Sequence, residues 1–272
     1  MMSRHAARLA LISSLALGAC APSGSGESVG HEPKSPHIFS QSNIRSFGTN
    51  GSKKIALTFD DGPKEGSTER ILDTLKREGI QATFFILGKS VDKHEAILRR
   101  MDREGHIIGN HSRTHPRLTN EEYVKDKEKV VEEILTTHNL IEPFQDPLKR
   151  LYFRAPFGLW TASHADHLNR HEVLSNYIGP IHWTAGGELK FKGDEIQKAA
   201  DWDCWSRKPA VSVETCAKGY IREITEKQGG VVLMHDIHES TARMLPIVIR
   251  ELKSQGYEFV TLDGLPELHE WD

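Results

Sequence analysis

The sequence predicts an α/β fold in which helices cover a parallel sheet. Short runs of β-branched and aromatic residues recur along the chain, for instance IALTF at 55–59 and VVLM at 231–234. Stretches with apolar residues at helical spacing separate these runs, and a glycine often stands at the junction. Such alternation is typical of parallel strands joined by right-handed crossovers, in a sheet that is either open or closed into a barrel.

The elements follow in order from about residue 53. A first strand at 55–60 precedes a helix over 67–78, in which Ile71, Leu72 and Leu75 share one face and Gly79 provides the stop. Later strands are predicted at 82–87, 106–109, 151–154, 176–183, 231–234 and 257–261. Later helices are predicted at 91–104, 121–139, 163–171, 193–200, 219–227 and 242–255.

The composition is that of one globular domain and argues against nucleic-acid binding. The chain has 272 residues, of which 38% are hydrophobic and 27% charged, enough for a single full-sized core. Its 35 basic and 38 acidic residues give a net charge of -3, and no basic stripe is interleaved with aromatics. A neutral or weakly charged substrate is the default expectation.

The first 19 residues have the pattern of an export signal. Arg4 and Arg8 precede an apolar segment, 9–17, that is too short to span a bilayer. The LGAC at 17–20 resembles the lipobox of a bacterial lipoprotein, which implies cleavage before Cys20 and lipidation of its thiol. A plain secretory peptide cut near Ala19 or Ala21 is the alternative. Either pattern predicts a mature protein outside the cytoplasm, and the lipobox predicts one anchored in the periplasmic cell envelope.

Two further features agree with export. Residues 20–52 are rich in Ser, Gly and Pro without a sustained period, so we expect a flexible tether ahead of a domain at 53–272. Cys204 and Cys216 remain as an even pair once Cys20 carries lipid. In an oxidising compartment a disulfide is the simplest expectation, and two buried free thiols are the alternative.

Asp60 and Asp61 stand side by side at the end of the first strand. Neighbouring side chains of a strand point to opposite faces, so both carboxylates can serve one site only where the strand leaves the sheet. Gly62 and Pro63 mark such an exit. A turn in which Asp caps the following helix is the alternative interpretation.

His111 and His115 form a second polar pair. Their spacing would put both imidazoles on one face of a helical turn, as in metal-binding helices, although a chain with 15 His produces such pairs by chance. With one carboxylate of the Asp pair, two imidazoles would leave positions on a bound cation open for water and substrate. The combination favours a catalytic metal site over a structural one.

Four motifs occur in the order TFDDGP (58–63), HSRTH (111–115), RAPFG (154–158) and LMHDIH (233–238). They resemble those of the polysaccharide deacetylases, the NodB-homology family, also called carbohydrate esterase family 4. The resemblance covers roughly residues 53–265. It implies a single-domain distorted (β/α) barrel of about seven units rather than eight. It also implies a divalent metal, commonly zinc, and removal of N-acetyl or sometimes O-acetyl groups from a glycan.

The resemblance also implies residue roles. The metal ligands would be Asp61, His111 and His115. Asp60 would be the general base, with Arg154 pairing to keep it ionised and oriented. The backbone N–H of Phe157 would donate to the oxyanion; the family often has Tyr there, but a backbone donor does not depend on the ring.

His235, at the end of an apolar strand, would on the same basis be the general acid that protonates the leaving amine. The family's fourth motif usually reads DxxDW, and here Lys198 replaces its first Asp. Asp201 is expected to accept a hydrogen bond from His235 and raise its pKa. Asp203 is the alternative, and capping of local turns by both is another.

The expected activity is hydrolysis of N-acetyl groups on N-acetylglucosamine units of peptidoglycan, because the cell wall is the polymer within reach of a tethered periplasmic enzyme. Trp202 or Trp205 would offer an apolar face to a sugar ring, unless the indole packs against the disulfide instead. Chitin or chito-oligosaccharides, exopolysaccharide and acetylxylan are alternative substrates. A glycan-binding relative with a degraded site is an alternative of another class, and no protein partner is implied.

Overall fold

Strand β2 (Lys54–Asp60) lies at the centre of the sheet in the computed structural model, which describes residues 39–44 and 52–265. One edge of β2 pairs in parallel with β9 (Gly230–His235). Its other edge pairs first with β10 (Glu258–Val260) and then with β3 (Thr83–Ile86). Strand β4 (Ile107–Asn110) pairs with β3, and all of these pairs are parallel, as predicted.

A second parallel sheet has the order β1 (Phe39–Ile44), β6 (Tyr177–Ile181), β5 (Leu151–Tyr152). Two isolated parallel bridges link it and its outgoing loop to the first sheet: Asn110 with Phe153, and Ala185 with Val232. The strands thus follow one another in barrel order, with two junctions reduced to single bridges. This arrangement agrees with the expected distorted barrel.

The helices lie in the connections between these strands, as a parallel sheet requires. Their bounds are α1 (Ser67–Glu78), α2 (Glu95–Arg103), α3 (Glu121–Lys125), α4 (Glu128–Ile141), α5 (Ala162–Leu168), α6 (Asp201–Ser206), α7 (Val213–Lys227) and α8 (Glu239–Ser254). Helix α1 has the predicted bounds, and Gly79 ends it with a left-handed φ of 67°. No helix in the described part of the chain is both long and apolar enough to cross a bilayer.

The core explains why β2 is an almost uninterrupted apolar run. Every residue from Ile55 to Asp60 is buried, as expected for a parallel strand covered on both faces. Phe59 stacks on Phe84 of the neighbouring strand, with ring centroids 5.1 Å apart. Each such side chain contributes about 1.5–3 kcal/mol by burial, so the strand that ends at Asp60 is held rigidly.

The predicted helix over 193–200 is wrong. This segment belongs to an antiparallel hairpin, β7 (Lys190–Lys192) and β8 (Glu195–Lys198), which turns at Gly193 with a φ of 60°. The apolar spacing was real but serves a different contact, because Ile196 and Ala199 both pack closely against Gly219 of α7. Helix α6, directly after this hairpin, was not predicted.

Several other boundaries differ from the predictions. The helix predicted at 121–139 is two helices, α3 and α4, because Asp126 between them has an extended backbone, with φ -118° and ψ 95°, that interrupts the helix. Helix α2 begins at Glu95 rather than at 91. Helix α7 begins at Val213 rather than at 219, because the side chain of Ser212 caps its start.

The expected tether, 20–52, is wrong for residues 39–44. These residues form β1, which pairs with β6 and therefore belongs to the fold. The predicted signal segment, Cys20 and most of the remaining tether lie outside the described residues. The predicted disulfide between Cys204 and Cys216 is confirmed, and it joins α6 to α7.

Candidate metal and catalytic site

The structure brings the three predicted metal ligands together. One side-chain atom from each of Asp61, His111 and His115 lies within 4.8 Å of the others. Asp61 Oδ1 is 3.6 Å from His111 Nε2 and 3.3 Å from His115 Nε2. In the described part of the chain this buried oxygen has no hydrogen-bond partner. A carboxylate oxygen left unpaired between two imidazole nitrogens fits the ligand set of a divalent cation.

The local backbone explains how two adjacent aspartates reach one cleft. Asp60 is the last residue of β2, and Asp61 has a φ of 76°. This left-handed conformation breaks the alternation of the strand, so the two carboxylates no longer point to opposite faces. It is uncommon for a residue with a side chain and costs on the order of 1 kcal/mol.

The two histidines lie on a loop rather than on the helical turn that their spacing suggested. Asn110, at the end of β4, accepts a hydrogen bond from the Ser112 N–H, and the Ser112 hydroxyl accepts one from the His115 N–H. Ser112 and His115 have φ values of 68° and 67°. The chain therefore folds back on itself, and His115 reaches the same place by a path that no helix provides.

Both imidazoles are in the neutral, metal-binding form near neutral pH. Burial lowers the pKa of His111 to about 3 and also lowers the pKa of His115, although the charge of Asp61 opposes both shifts. The Nδ1 of His111 lies 2.8 Å from the Arg154 carbonyl oxygen, to which it donates. That bond fixes the tautomer and leaves Nε2 free as a ligand.

Asp60 and Arg154 form a buried ion pair beside these ligands. Arg154 Nη1 donates to Asp60 Oδ1 at 2.7 Å and to the hydroxyl of Thr58 at 2.8 Å, and its other nitrogens donate to the carbonyls of Ile181 and His182. Burial raises the pKa of Asp60, and the guanidinium opposes that rise. Arg154 is completely buried, so the carboxylate is held by a group that cannot itself move easily.

His235 lies next to Asp60, because β9 and β2 pair in the register that aligns these two residues. Its Nδ1 is 2.8 Å from Asp201 Oδ1. Asp201 Oδ2 accepts hydrogen bonds from the backbone N–H of His235 and from the Thr241 hydroxyl, each at 2.7 Å. Burial alone would lower the pKa of His235, but the adjacent carboxylate raises it to about 9. The imidazole is therefore protonated near neutral pH.

The structure brings Asp201 rather than Asp203 to His235. Asp201 begins α6, and the hydroxyl of Tyr220 accepts a hydrogen bond from its backbone N–H. Asp203 is on the outer side of the same helix, where it pairs with Arg207 at 3.2 Å.

A cleft of about 450 Å³ contains these groups. The predicted residues that line it are Asp60, Asp61, His111, His115, Phe157, Trp202 and His235. Arg154 and Asp201 stand behind Asp60 and His235. Trp205 does not line the cleft; its indole N–H donates to Thr241. A larger cavity of about 650 Å³ lies elsewhere, around His106 and Phe259, and contains none of the predicted site residues.

Phe157 lies next to the metal site, on a turn where its φ is 58°. Its ring centroid is 4.4 Å from that of His115. Among the hydrogen bonds of the described residues, none uses the Phe157 backbone N–H, so this donor is available to a ligand in the cleft.

Sequence reasoning missed several lining residues: Arg117, Ala155, Trp183, Gly187, Leu233 and His238. Two of them carried a usable signal. Arg117 is two residues beyond His115, and Trp183 ends the predicted strand at 176–183, where a parallel sheet opens its ligand crevice. Gly187 has no such signal, although any side chain there would collide with the Trp183 indole.

Comparisons with known proteins agree with this geometry. The sequence profile of a family described as Polysaccharide deacetylase matches residues 47–174. The chain is 30% identical to the peptidoglycan-N-acetylmuramic acid deacetylase PdaA of Bacillus subtilis over 246 residues, which cover 88% of this chain and 82% of PdaA. The chain therefore belongs to the polysaccharide deacetylase family, as its motifs predicted.

Two further relatives are similar. The peptidoglycan-N-acetylglucosamine deacetylase PgdA of Listeria monocytogenes is 36% identical over 214 residues, which cover 79% of this chain but only 39% of PgdA. This chain thus spans about two fifths of the length of that protein. The crystal structure of the Bc1960 peptidoglycan N-acetylglucosamine deacetylase superposes with a TM-score of 0.60 at 25% identity and covers 85% of this chain and 92% of Bc1960. The expected fold is thereby confirmed.

Proposed function

We propose that this protein is a metal-dependent hydrolase that removes N-acetyl groups from N-acetylglucosamine units of peptidoglycan. One observation carries the proposal. The β2–β9 register aligns a buried carboxylate, Asp60, with a protonated imidazole, His235, in the cleft that also holds the Asp61, His111 and His115 cluster. A base and an acid on either side of a metal site are what amide hydrolysis requires.

Asp61, His111 and His115 would hold the ion. Two imidazoles and one carboxylate are a ligand set that catalytic zinc uses, which supports Zn²⁺ as the metal. When bound, the ion supplies Lewis acidity: it lowers the pKa of a bound water to about 7 and polarises the acyl oxygen.

Asp60 would take the proton from the attacking water. Its pKa is raised by burial, so it is a stronger base than an exposed carboxylate, while Arg154 keeps it in one orientation. The acyl oxygen becomes negative as the water adds to the carbonyl carbon, and the Phe157 N–H would donate to that oxygen.

His235 would deliver a proton to the departing nitrogen, which leaves poorly as an anion. Its Nδ1 is committed to Asp201, so the proton that it can give is the one on Nε2. Asp201 would act as a positioning residue, since it touches His235 and does not line the cleft.

The substrate proposal has three supports. The relatives reported above are described as peptidoglycan deacetylases. The export pattern of residues 1–19, with Cys20 as a lipid anchor, would place the protein in the cell envelope. Trp202, which is 46% exposed in the cleft, offers a face on which a sugar ring can stack.

The test measures acetate released from peptidoglycan, chito-oligosaccharides and acetylxylan by the purified protein. Release from peptidoglycan should be lost with a chelator and restored by Zn²⁺, and mass spectrometry of the digested glycan should locate the free amine on glucosamine. Acetate from acetylxylan alone, or chelator-resistant release, would refute the proposal. Intact mass of protein extracted from membranes tests the anchor: an unmodified Cys20 would contradict it.

A further inference from the structure

Arg117 is a cation at the mouth of the cleft that the proposed chemistry does not use. It is exposed, and it is the only Arg or Lys among the described residues that line the cleft. Its guanidinium carbon lies 4.3 Å from the ring centroid of Phe157. Phe157 in turn contacts His115, so one aromatic ring separates the guanidinium from a metal-site residue.

The hydrogen-bonding capacity of this guanidinium is unused within the described residues. No carboxylate there lies within 4.0 Å of it, and no hydrogen bond of the described residues uses its side chain. Two lysines near the cleft differ, since Lys89 and Lys64 donate to the carbonyls of Thr114 and Ile237. Arg117 therefore presents a free planar fork of N–H donors, which suits a carboxylate in a bidentate arrangement.

Stacking on Phe157 pre-organises this guanidinium for binding. A guanidinium that lies over an aromatic face is restrained in orientation, so less freedom is lost when it binds an anion. Exposure adds direction. Asp60 is buried and Asp61 is half-buried, whereas Arg117 is exposed and can attract an anion from the solvent side of the cleft.

We propose that Arg117 binds a carboxylate of the glycan and thereby makes the enzyme prefer anionic strands to neutral ones. The inference rests on the proposed function and specifies the substrate class of that site. The Phe157 ring keeps the guanidinium away from the reacting acetyl group, so the carboxylate belongs to a substituent on the same or a neighbouring sugar. In peptidoglycan, carboxylates come from the lactyl ether or from the attached peptide.

Three glycans of matched length test this: peptide-bearing strands, strands stripped of peptide so that the lactyl carboxylate is free, and neutral chito-oligosaccharides. The ratio of kcat/KM for anionic over neutral glycan should fall about three- to tenfold in Arg117→Gln, through KM. In wild type this ratio should decrease as salt rises, and in the variant it should depend much less on salt. The arm that loses the preference identifies the carboxylate.

Two variants control for structure. Arg170→Gln removes an exposed arginine that does not line the cleft and should keep the wild-type ratio. Arg117→Lys keeps the charge but not the planar fork, so it should retain only part of the preference together with its salt dependence. An unchanged ratio in Arg117→Gln, or an equal loss in Arg170→Gln, overturns the inference.

If wild type releases no acetate from any glycan, the proposed function fails. In that case the carboxylate contact is tested separately by calorimetric Kd values for the strand stripped of peptide. Equal Kd values for wild type and Arg117→Gln would overturn the proposal that Arg117 binds this carboxylate.

Discussion

The contact between Asp201 and His235 gives the sharpest test of the catalytic assignment. Asp201→Asn removes the negative charge but keeps nearly the same shape 2.8 Å from His235 Nδ1. The folded-state pKa of His235 is about 9, above its ordinary 6.5, because the carboxylate more than offsets burial. Without that charge, burial still lowers the pKa and only the smaller effects of Asp60 and Asp61 raise it, so the pKa should fall from about 9 towards the ordinary 6.5.

The expected loss follows from the fraction of His235 that is protonated. At about pH 8, a pKa of about 9 leaves roughly nine tenths of the imidazole protonated, whereas a pKa of 6.5 leaves about one thirtieth. If His235 is the acid, kcat/KM should therefore drop by up to about thirtyfold at that pH. At about pH 6 both forms are mostly protonated, so the deficit should shrink to within a few fold.

The same shift has a consequence for stability. A group whose folded pKa is raised contributes stability that is fully present below its unfolded pKa and is lost as the pH rises through the folded value. The Asp201–His235 pair should therefore stabilise wild type fully below about pH 6.5, and this contribution should disappear as the pH passes about 9. In Asp201→Asn the amide group cannot accept every hydrogen bond that His235 and Thr241 donate to the carboxylate. The free energy of unfolding should therefore also fall by about 1–3 kcal/mol.

The assay is acetate release by wild type and variant from pH 5.5 to 10, with thermal unfolding recorded on the same samples. Asp203→Asn is the matched control, since it removes another carboxylate of the same helix, one that pairs with Arg207 instead of His235. Its basic limb should coincide with that of wild type. Parallel profiles for Asp201→Asn and wild type would refute the reasoning, because a purely structural defect lowers activity equally at every pH.

Three further predictions concern the metal, the base and the disulfide. His111→Ala should purify with less than about one tenth of the wild-type metal by elemental analysis; full occupancy with full activity would exclude His111 as a ligand. Asp60→Asn should keep the metal but lose about 10²–10⁴ in kcat, because an amide cannot accept the proton; near-wild-type turnover would contradict its role. Replacing Cys204 and Cys216 by Ser should lower the free energy of unfolding by about 3 kcal/mol, and an unchanged denaturant midpoint would contradict this.

Much of the site was predictable because its residues stand at the ends of strands. Apolar runs identified β2 and β9, and Asp60 and His235 are the first polar side chains after those runs. Parallel strands present their carboxyl ends at one edge, so polar residues at those ends meet without further information. Helix α1 could also be predicted from the local sequence. Gly79 ends it, because a residue without a side chain readily adopts the left-handed conformation found there.

Segments whose structure depends on distant partners were predicted least well. The spacing of Ile196 and Ala199 suited a helix, but in the hairpin both side chains pack against Gly219, which is distant in the sequence. Likewise His111 and His115 have helical spacing, yet hydrogen bonds from Asn110 and Ser112 hold them on a loop. Periodicity reports which side chains are buried together, and more than one backbone path can satisfy it.

Local sequence patterns were therefore sufficient for the parallel α/β class and for placing Asp60, Asp61 and His235 at the ends of strands, because strand period and strand ends are properties of a few consecutive residues. The roles proposed for these residues came from the family motifs instead. Tertiary structure decided between Asp201 and Asp203, excluded Trp205 from the cleft and brought Arg117 over Phe157. These outcomes depend on how α6 and the loops pack against strands far away in the chain. Such packing is determined by shape and burial across the whole core, which no short segment encodes.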